Sequence, residues 1–216
     1  MIAGVQREFV VFDAMGVLYR HGNVVRGVLI PYLREHGCTH TEAEIREVYR
    51  RCTLGAISTG ELWSALGVAA TASDGDYCSR HELTQDAPEV LRGLGEAGIT
   101  PLVLTNDAVP WSEQLRLRFG LTAYVETWFV SSAIGARKPD PAAYRPVLAH
   151  PGLDAARTRF VDDRPTNLMA AEAAGFRPVL FRSDDTDAHP EPGFQPPVVH
   201  TMTGLWKLLS SAGRSA

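Results

Sequence analysis

The hydrophobic pattern divides the chain into parts of different period. "FVVFD", residues 9–13, is a short unbroken apolar run ending on a carboxylate, as in a strand buried on both faces. From about residue 22 the period becomes helical. Asn23 is placed to cap "VVRGVLIPYLREHG", which Pro31 should bend or interrupt. In "TEAEIREVYRRCTLG", Ile45, Val48, Tyr49 and Cys52 share one face and Gly55 is a stop signal. Ser58 and Glu61 have the spacing of a capping box, with Leu62, Trp63 and Leu66 behind them. A fourth short helix is expected near 74–82. Residues 21–84 carry no strand signal.

From residue 85 onward the two periods alternate. "APEVLRGLGEAG" precedes "TPLVLTN", "WSEQLRLRFG" precedes "ETWFVS", "DPAAYRPVLAH" precedes "TRFVDD", and "TNLMAAEAAG" precedes "RPVLFR". Helix–strand alternation predicts an α/β fold, a doubly wound parallel sheet with a Rossmann-like core. Residues 1–20 and 85–216 would form that core, with 21–84 a small helical unit inserted after the first strand. The acidic, proline-rich segment 183–200 reads as an irregular surface stretch, and a helix around "GLWKLLSS" closes the chain. There is no internal repeat.

Composition adds exclusions. A chain of 216 residues with 45% hydrophobic and 21% charged content can bury a full α/β core. Its net charge of -4 offers no electrostatic footprint for nucleic acid or an anionic membrane. "MIAGVQREFVVFD" lacks a signal-peptide pattern, and no apolar run reaches membrane-spanning length. Cys38, Cys52 and Cys78 are odd in number and lack metal-ligand spacing, so reduced thiols and a cytoplasmic protein are expected. Among 21 basic residues only Lys138 and Lys207 are lysines. Lysine at either place therefore invites a specific reason.

The strand tips concentrate the chemistry. Asp13 ends the first predicted strand, Thr105-Asn106-Asp107 the second and Asp162-Asp163 the fourth, while Lys138 follows the third. Ligands of open α/β sheets bind beyond the carboxyl ends of the strands. One crevice would thus hold a carboxylate, a hydroxyl, an amine and two further carboxylates. Each residue also has a plain reading: a strand-end cap, a surface lysine, a pair of helix-capping acids.

"FVVFDAMGVLY", "LVLTND", "RKPDPAAY" and "FVDDRPTN" together resemble, in order, the four motifs of the haloacid dehalogenase-like (HAD) hydrolase superfamily. The helical insert resembles that superfamily's small cap between the first and second motifs. The resemblance implies that Asp13 is a nucleophile forming a covalent aspartyl intermediate. It implies that Thr105 donates its hydroxyl to a transferring group and that Lys138 neutralises Asp13 and a substrate anion. It implies Mg²⁺ held by Asp13, Asp163, Asp162 and the main-chain carbonyl of Met15, with Asn167 supporting these ligands through hydrogen bonds. Asn106 and Arg26 are candidate contacts for a small anionic metabolite substrate.

Met15 complicates this. In the superfamily's phosphatases a second Asp stands there, protonating the leaving oxygen and later activating water. A thioether does neither, and a positioned acid/base is worth about 10²–10⁴ in rate, roughly 3–5 kcal/mol. Three readings follow. One is a Mg²⁺-dependent phosphoryl hydrolase that is slow, or whose substrate has a good leaving group. A second is a metal-independent 2-haloacid dehalogenase, whose halide needs no proton; Tyr144 fits that branch, but the acidic pair Asp162-Asp163 does not. A third is a non-catalytic metabolite-binding protein. The phosphonatase branch needs a cap lysine, and 21–84 contains none.

Overall fold

The computed structural model describes residues 7–186 and 193–212. Six parallel strands form one sheet: β1 (Glu8–Phe12), β2 (Ile99–Thr105), β3 (Thr127–Val130), β4 (Arg159–Asp162), β5 (Arg177–Phe181) and β6 (Val198–Val199), in the order β3-β2-β1-β4-β5-β6. The chain winds outward from β1 through β2 to β3, then returns to the other side of β1 for β4. That reversal opens a crevice at the carboxyl ends of β1 and β4, the topological switch point of such sheets.

β1 shows why a continuous apolar run is required. Val10 and Phe12 join one core cluster with Leu91, Leu94 and Leu205, while Phe9 and Val11 join another with Tyr144, Phe160 and Leu168. Alternate side chains of one strand thus feed the cores on both sheet faces. Helices supply the outer layers: α5 (Ala87–Glu96), α6 (Val109–Arg118), α7 (Ser131–Ile134), α8 (Arg145–Leu148), α9 (Pro165–Ala173) and α10 (Met202–Ala212).

Between β1 and α5 the chain forms four α-helices and, beyond isolated bridges at Tyr19, no strand: α1 (Ile30–Glu35), α2 (Glu42–Thr53), α3 (Thr59–Ala65) and α4 (Asp74–Ser79). Capping boxes start α2 (Thr41 with Glu44) and α3 (Ser58 with Glu61). The Arg26 N–H donates to Asn23 Oδ1 at 3.3 Å, and Pro31 lies in the first turn of α1 after a π-turn at Val25–Leu29. The chain stays helical through Leu29 and Ile30, and Pro31 is tolerated there because a first-turn residue needs no N–H donor. These helices are fastened to α6. Trp111, fully buried, donates Nε1–H to Asp74 Oδ1 at 2.7 Å, and Trp63 donates to the same oxygen at 2.8 Å.

Several elements differ from the expected pattern. Segment 183–200 is not wholly irregular: Val198 and Val199 pair with Leu180 and Phe181 as β6, and residues 187–192 of that segment lie outside the described residues. A two-residue edge strand fits after Pro196-Pro197, where missing N–H donors cost little. "DPAAYRPVLAH" splits into a 3-10 turn at Pro141–Ala143 and the single turn α8, which takes Pro146 into its first turn. The three cysteines are free and buried. Among the described residues, no helix is long and apolar enough to cross a membrane.

Candidate active site

Asp13 is the first residue beyond β1, and its N–H donates to Val161 O of β4 at 2.8 Å. This bond places the carboxylate at the mouth of the switch-point crevice. Oδ1 accepts the Ala14 N–H at 2.7 Å and lies 2.9 Å from Lys138 Nζ. The same ammonium lies 2.7 Å from Asp162 Oδ2, so one fully buried lysine bridges acids from two adjacent strands.

Asn106 explains how Lys138 is delivered. Its Nδ2 donates to Lys138 O and its Oδ1 accepts Lys138 N–H, both at 2.9 Å. The amide expected to contact substrate thus clamps the lysine's own backbone, although Asn106 also lines the cavity. Burial opposes the charge on Lys138, but the Asp13 and Asp162 carboxylates outweigh it and hold its pKa above the ordinary lysine value.

The vicinal acids behave differently. Asp162 accepts from Lys138, from Arg164 N–H at 2.8 Å, and from Asn167 Nδ2 at 3.0 and 3.1 Å on its two oxygens. Asn167 therefore orients Asp162. Asp163 has a buried Oδ1 with no hydrogen-bond partner. Burial first, then the Asp162 and Asp13 charges, push Asp163 well above the usual carboxylate range. Burial likewise raises Asp13 to about 6 against the attraction of Lys138. One oxygen from each of Asp13, Asp162 and Asp163 lies within 4.8 Å of the others. A desolvated acid with an orphaned oxygen, next to two more acids, is a donor set that a hard divalent cation satisfies.

Two glycines make room for this. A Cβ at Gly22 would stand 2.2 Å from Asp163 Oδ2, and one at Gly16 would stand 2.7 Å from Asp163 Cγ. Gly16 also has φ +79°, which closes the turn after Asp13. Gly16 lies within the first quoted motif, whereas Gly22, just beyond it, carries no motif signal of its own.

The carboxyl-end crevice is a cavity of about 530 Å³ lined by Asp13, Met15, Asn106, Lys138 and Asn167, with Tyr49 from α2 above them. Thr105 ends β2 fully buried, with its Oγ1 unpartnered, and is not among the residues lining the cavity. Arg26 is not at the cavity. It lies on the exposed side of the π-turn and pairs with Glu42 at 2.8 Å, because Val25, Val28 and Leu29 take the inward positions. The arginines at the cavity are instead Arg46, Arg50, Arg137 and Arg164. Arg137 and Arg164 were legible only as neighbours of Lys138 and Asp163. Tyr144 packs on Phe160 and donates to Asn167 O at 2.8 Å, so it belongs to the core.

Residues 8–175 match the family described as haloacid dehalogenase-like hydrolase. The chain belongs to that family. Sesquiterpene phosphatase astK of Aspergillus oryzae is 30% identical over 174 residues, 76% of this chain and 85% of the relative. Flavin mononucleotide hydrolase 1 of Arabidopsis thaliana is 36% identical over 98 residues, and this chain spans only 40% of its length. In fold, the HAD phosphatase from Thermococcus onnurineus superposes with a TM-score of 0.69 at 16% identity, covering 94% of this chain and 97% of that one. The L-2-haloacid dehalogenase from Xanthobacter autotrophicus superposes with a TM-score of 0.65 at 21% identity, covering 97% of this chain and all (100%) of that one. Both structural likenesses concern the HAD fold, which phosphatases and dehalogenases share.

Proposed function

We propose that this HAD hydrolase is a Mg²⁺-dependent phosphatase of a small phosphorylated metabolite, with Asp13 as covalent nucleophile. One observation carries the reading: Lys138 is locked between Asp13 and Asp162, while Asp163, beside them in the acidic cluster, keeps a buried oxygen with no hydrogen-bond partner. Asp13, Asp163 and the main-chain carbonyl of Met15 would hold the ion, with Asp162 completing the acidic cluster while keeping Lys138 in place. When bound, the ion supplies positive charge that draws a phosphoryl group's oxygens toward the nucleophile.

Asp13 Oδ2 attacks phosphorus from the side opposite the leaving oxygen. The Asp13 O–P bond forms as the P–O bond to the leaving group breaks, and water then cleaves the acyl phosphate to release inorganic phosphate. Lys138 holds Asp13 Oδ1 and offsets charge on the phosphoryl oxygens. Thr105 supplies a hydroxyl that has no other partner. Residues 21–84 act as a cap that excludes water over the crevice.

Met15 sets the substrate class. It lines the cavity where an acid would serve the leaving oxygen, and among the described residues the acids lining it are Asp13 and Asp140. Leaving groups that depart as stable anions, such as those of acyl phosphates, need no proton. A phosphate-release assay with acetyl phosphate and glycerol phosphate, each with Mg²⁺ and with chelator, tests this reading. Mg²⁺-dependent release favouring acetyl phosphate by about 10² or more supports it. Chelator-insensitive halide release from 2-chloropropionate, without phosphate release, would replace it with the dehalogenase.

A further inference from the structure

The cavity above Asp13 is cationic in a chain whose net charge is -4. Among the described residues Arg46, Arg50, Arg137, Lys138 and Arg164 line it, against two acids, Asp13 and Asp140. Such a cleft draws anions toward it. Three of the five cations are already matched. Arg46 pairs with Glu42 at 2.7 Å, Arg50 pairs with Glu47 at 2.9 Å, and Lys138 serves Asp13 and Asp162.

Arg137 and Arg164 are different. Arg137 donates to Thr53 Oγ1, and its Cζ lies 5.6 Å from the centre of the Tyr49 ring. Arg164 donates Nη2–H to Gly22 O at 3.4 Å. Neither forms an ion pair with a carboxylate among the described residues. Both are held against the inserted segment rather than against Asp13. Burial lowers the Arg137 pKa from its ordinary value; Tyr49 and Asp107 oppose that shift, while the charges of Arg50 and Arg164 add to it. Two half-buried guanidinium groups that repel each other on one wall gain from a bridging anion.

A phosphoryl group at Asp13 is served by Lys138, so the positive charge of these arginines is surplus to it. We propose that Arg137 and Arg164 form a second anion subsite, so that the substrate is a phosphorylated metabolite bearing a further carboxylate or phosphoryl group on its leaving side. This rests on the proposed phosphatase reading. The volume of about 530 Å³ accommodates a small two-headed metabolite, and Val24, Val25 and Leu54 offer apolar contact to a short carbon spacer.

Calorimetric titration of the full chain with Mg²⁺ present tests the inference without turnover. Three ligand series of graded spacer length are compared: alkylphosphonates, ω-carboxyalkylphosphonates and alkylene bisphosphonates. At least one two-headed ligand is expected to bind about tenfold tighter than the plain phosphonate of equal length. The tighter series identifies the second group as carboxylate or phosphoryl. Arg137→Gln and Arg164→Gln should each reduce that ratio toward parity. If one variant loses its cooperative thermal melt, the other carries the comparison. Equal affinity of plain and two-headed ligands at every length would overturn the second subsite and leave the phosphatase reading intact. No binding by any phosphonate would overturn both.

Discussion

Lys138 and Asp162 form a buried ion pair, Nζ to Oδ2 at 2.7 Å, and Asp13 Oδ1 lies 2.9 Å from the same nitrogen. An ammonium between two desolvated carboxylates is a structural element as much as a chemical one. Lys138→Met leaves two buried acids without their cation, and removing one partner of a buried pair costs about 3–5 kcal/mol. Urea unfolding should show a loss of that order, together with loss of phosphate release. A variant as stable as the parent would mean that the pair contributes nothing to folding.

Met15→Asp puts an acid where the cavity has a thioether. kcat/KM for glycerol phosphate, which reports departure of the leaving group, should rise by about 10²–10⁴ relative to the parent, while kcat/KM for acetyl phosphate changes far less. Steady-state kinetics on both substrates check this. An equal response to both would mean that leaving-group protonation is not what Met15 limits.

Gly22→Ala forces a Cβ to within 2.2 Å of Asp163 Oδ2 unless that carboxylate moves. Displacing a ligand's carboxylate typically weakens metal affinity about 10–100-fold. Mg²⁺ should raise the parent's melting temperature, since an ion bound only by the native state stabilises it, and the variant should lose most of that increase. An undiminished Mg²⁺ response would remove Asp163 from the ion's ligands.

Asp107 offers a pH prediction away from the ion. Burial raises its carboxyl from 3.8 to about 7, and its Oδ1 accepts the Ala108 N–H at 2.8 Å. Between those values the folded chain holds a proton that the unfolded chain releases, so this group lowers stability as pH rises through the window and adds no further loss above it. Asp107→Asn keeps an acceptor for Ala108 but cannot ionise. Its stability relative to the parent should grow from pH 4 to pH 7 and then level off, at a gain on the order of 4 kcal/mol. A pH-independent difference in urea unfolding would show that Asp107 does not titrate there.

Much of this molecule follows from local sequence. The apolar run into Asp13, the two capping-box starts and the strand–helix alternation each arise from residues a few positions apart. Short-range sterics and period are therefore enough to predict a parallel sheet with a helical insert and reactive side chains at its strand tips. The consequence of Met15 is equally local, since a thioether neither gives nor takes a proton wherever it points. Only tertiary structure decided how the polar groups are shared. Asp162 and Asp163 are neighbours in sequence, yet one is saturated by Lys138, Asn167 and the Arg164 N–H while the other keeps an orphaned oxygen. Arg26 turns outward to Glu42 while Arg137 and Arg164 line the cavity, and Asn106 grips Lys138 from another strand's end. Donors and acceptors are allotted by distance across the sheet, and spacing along the chain does not carry that information.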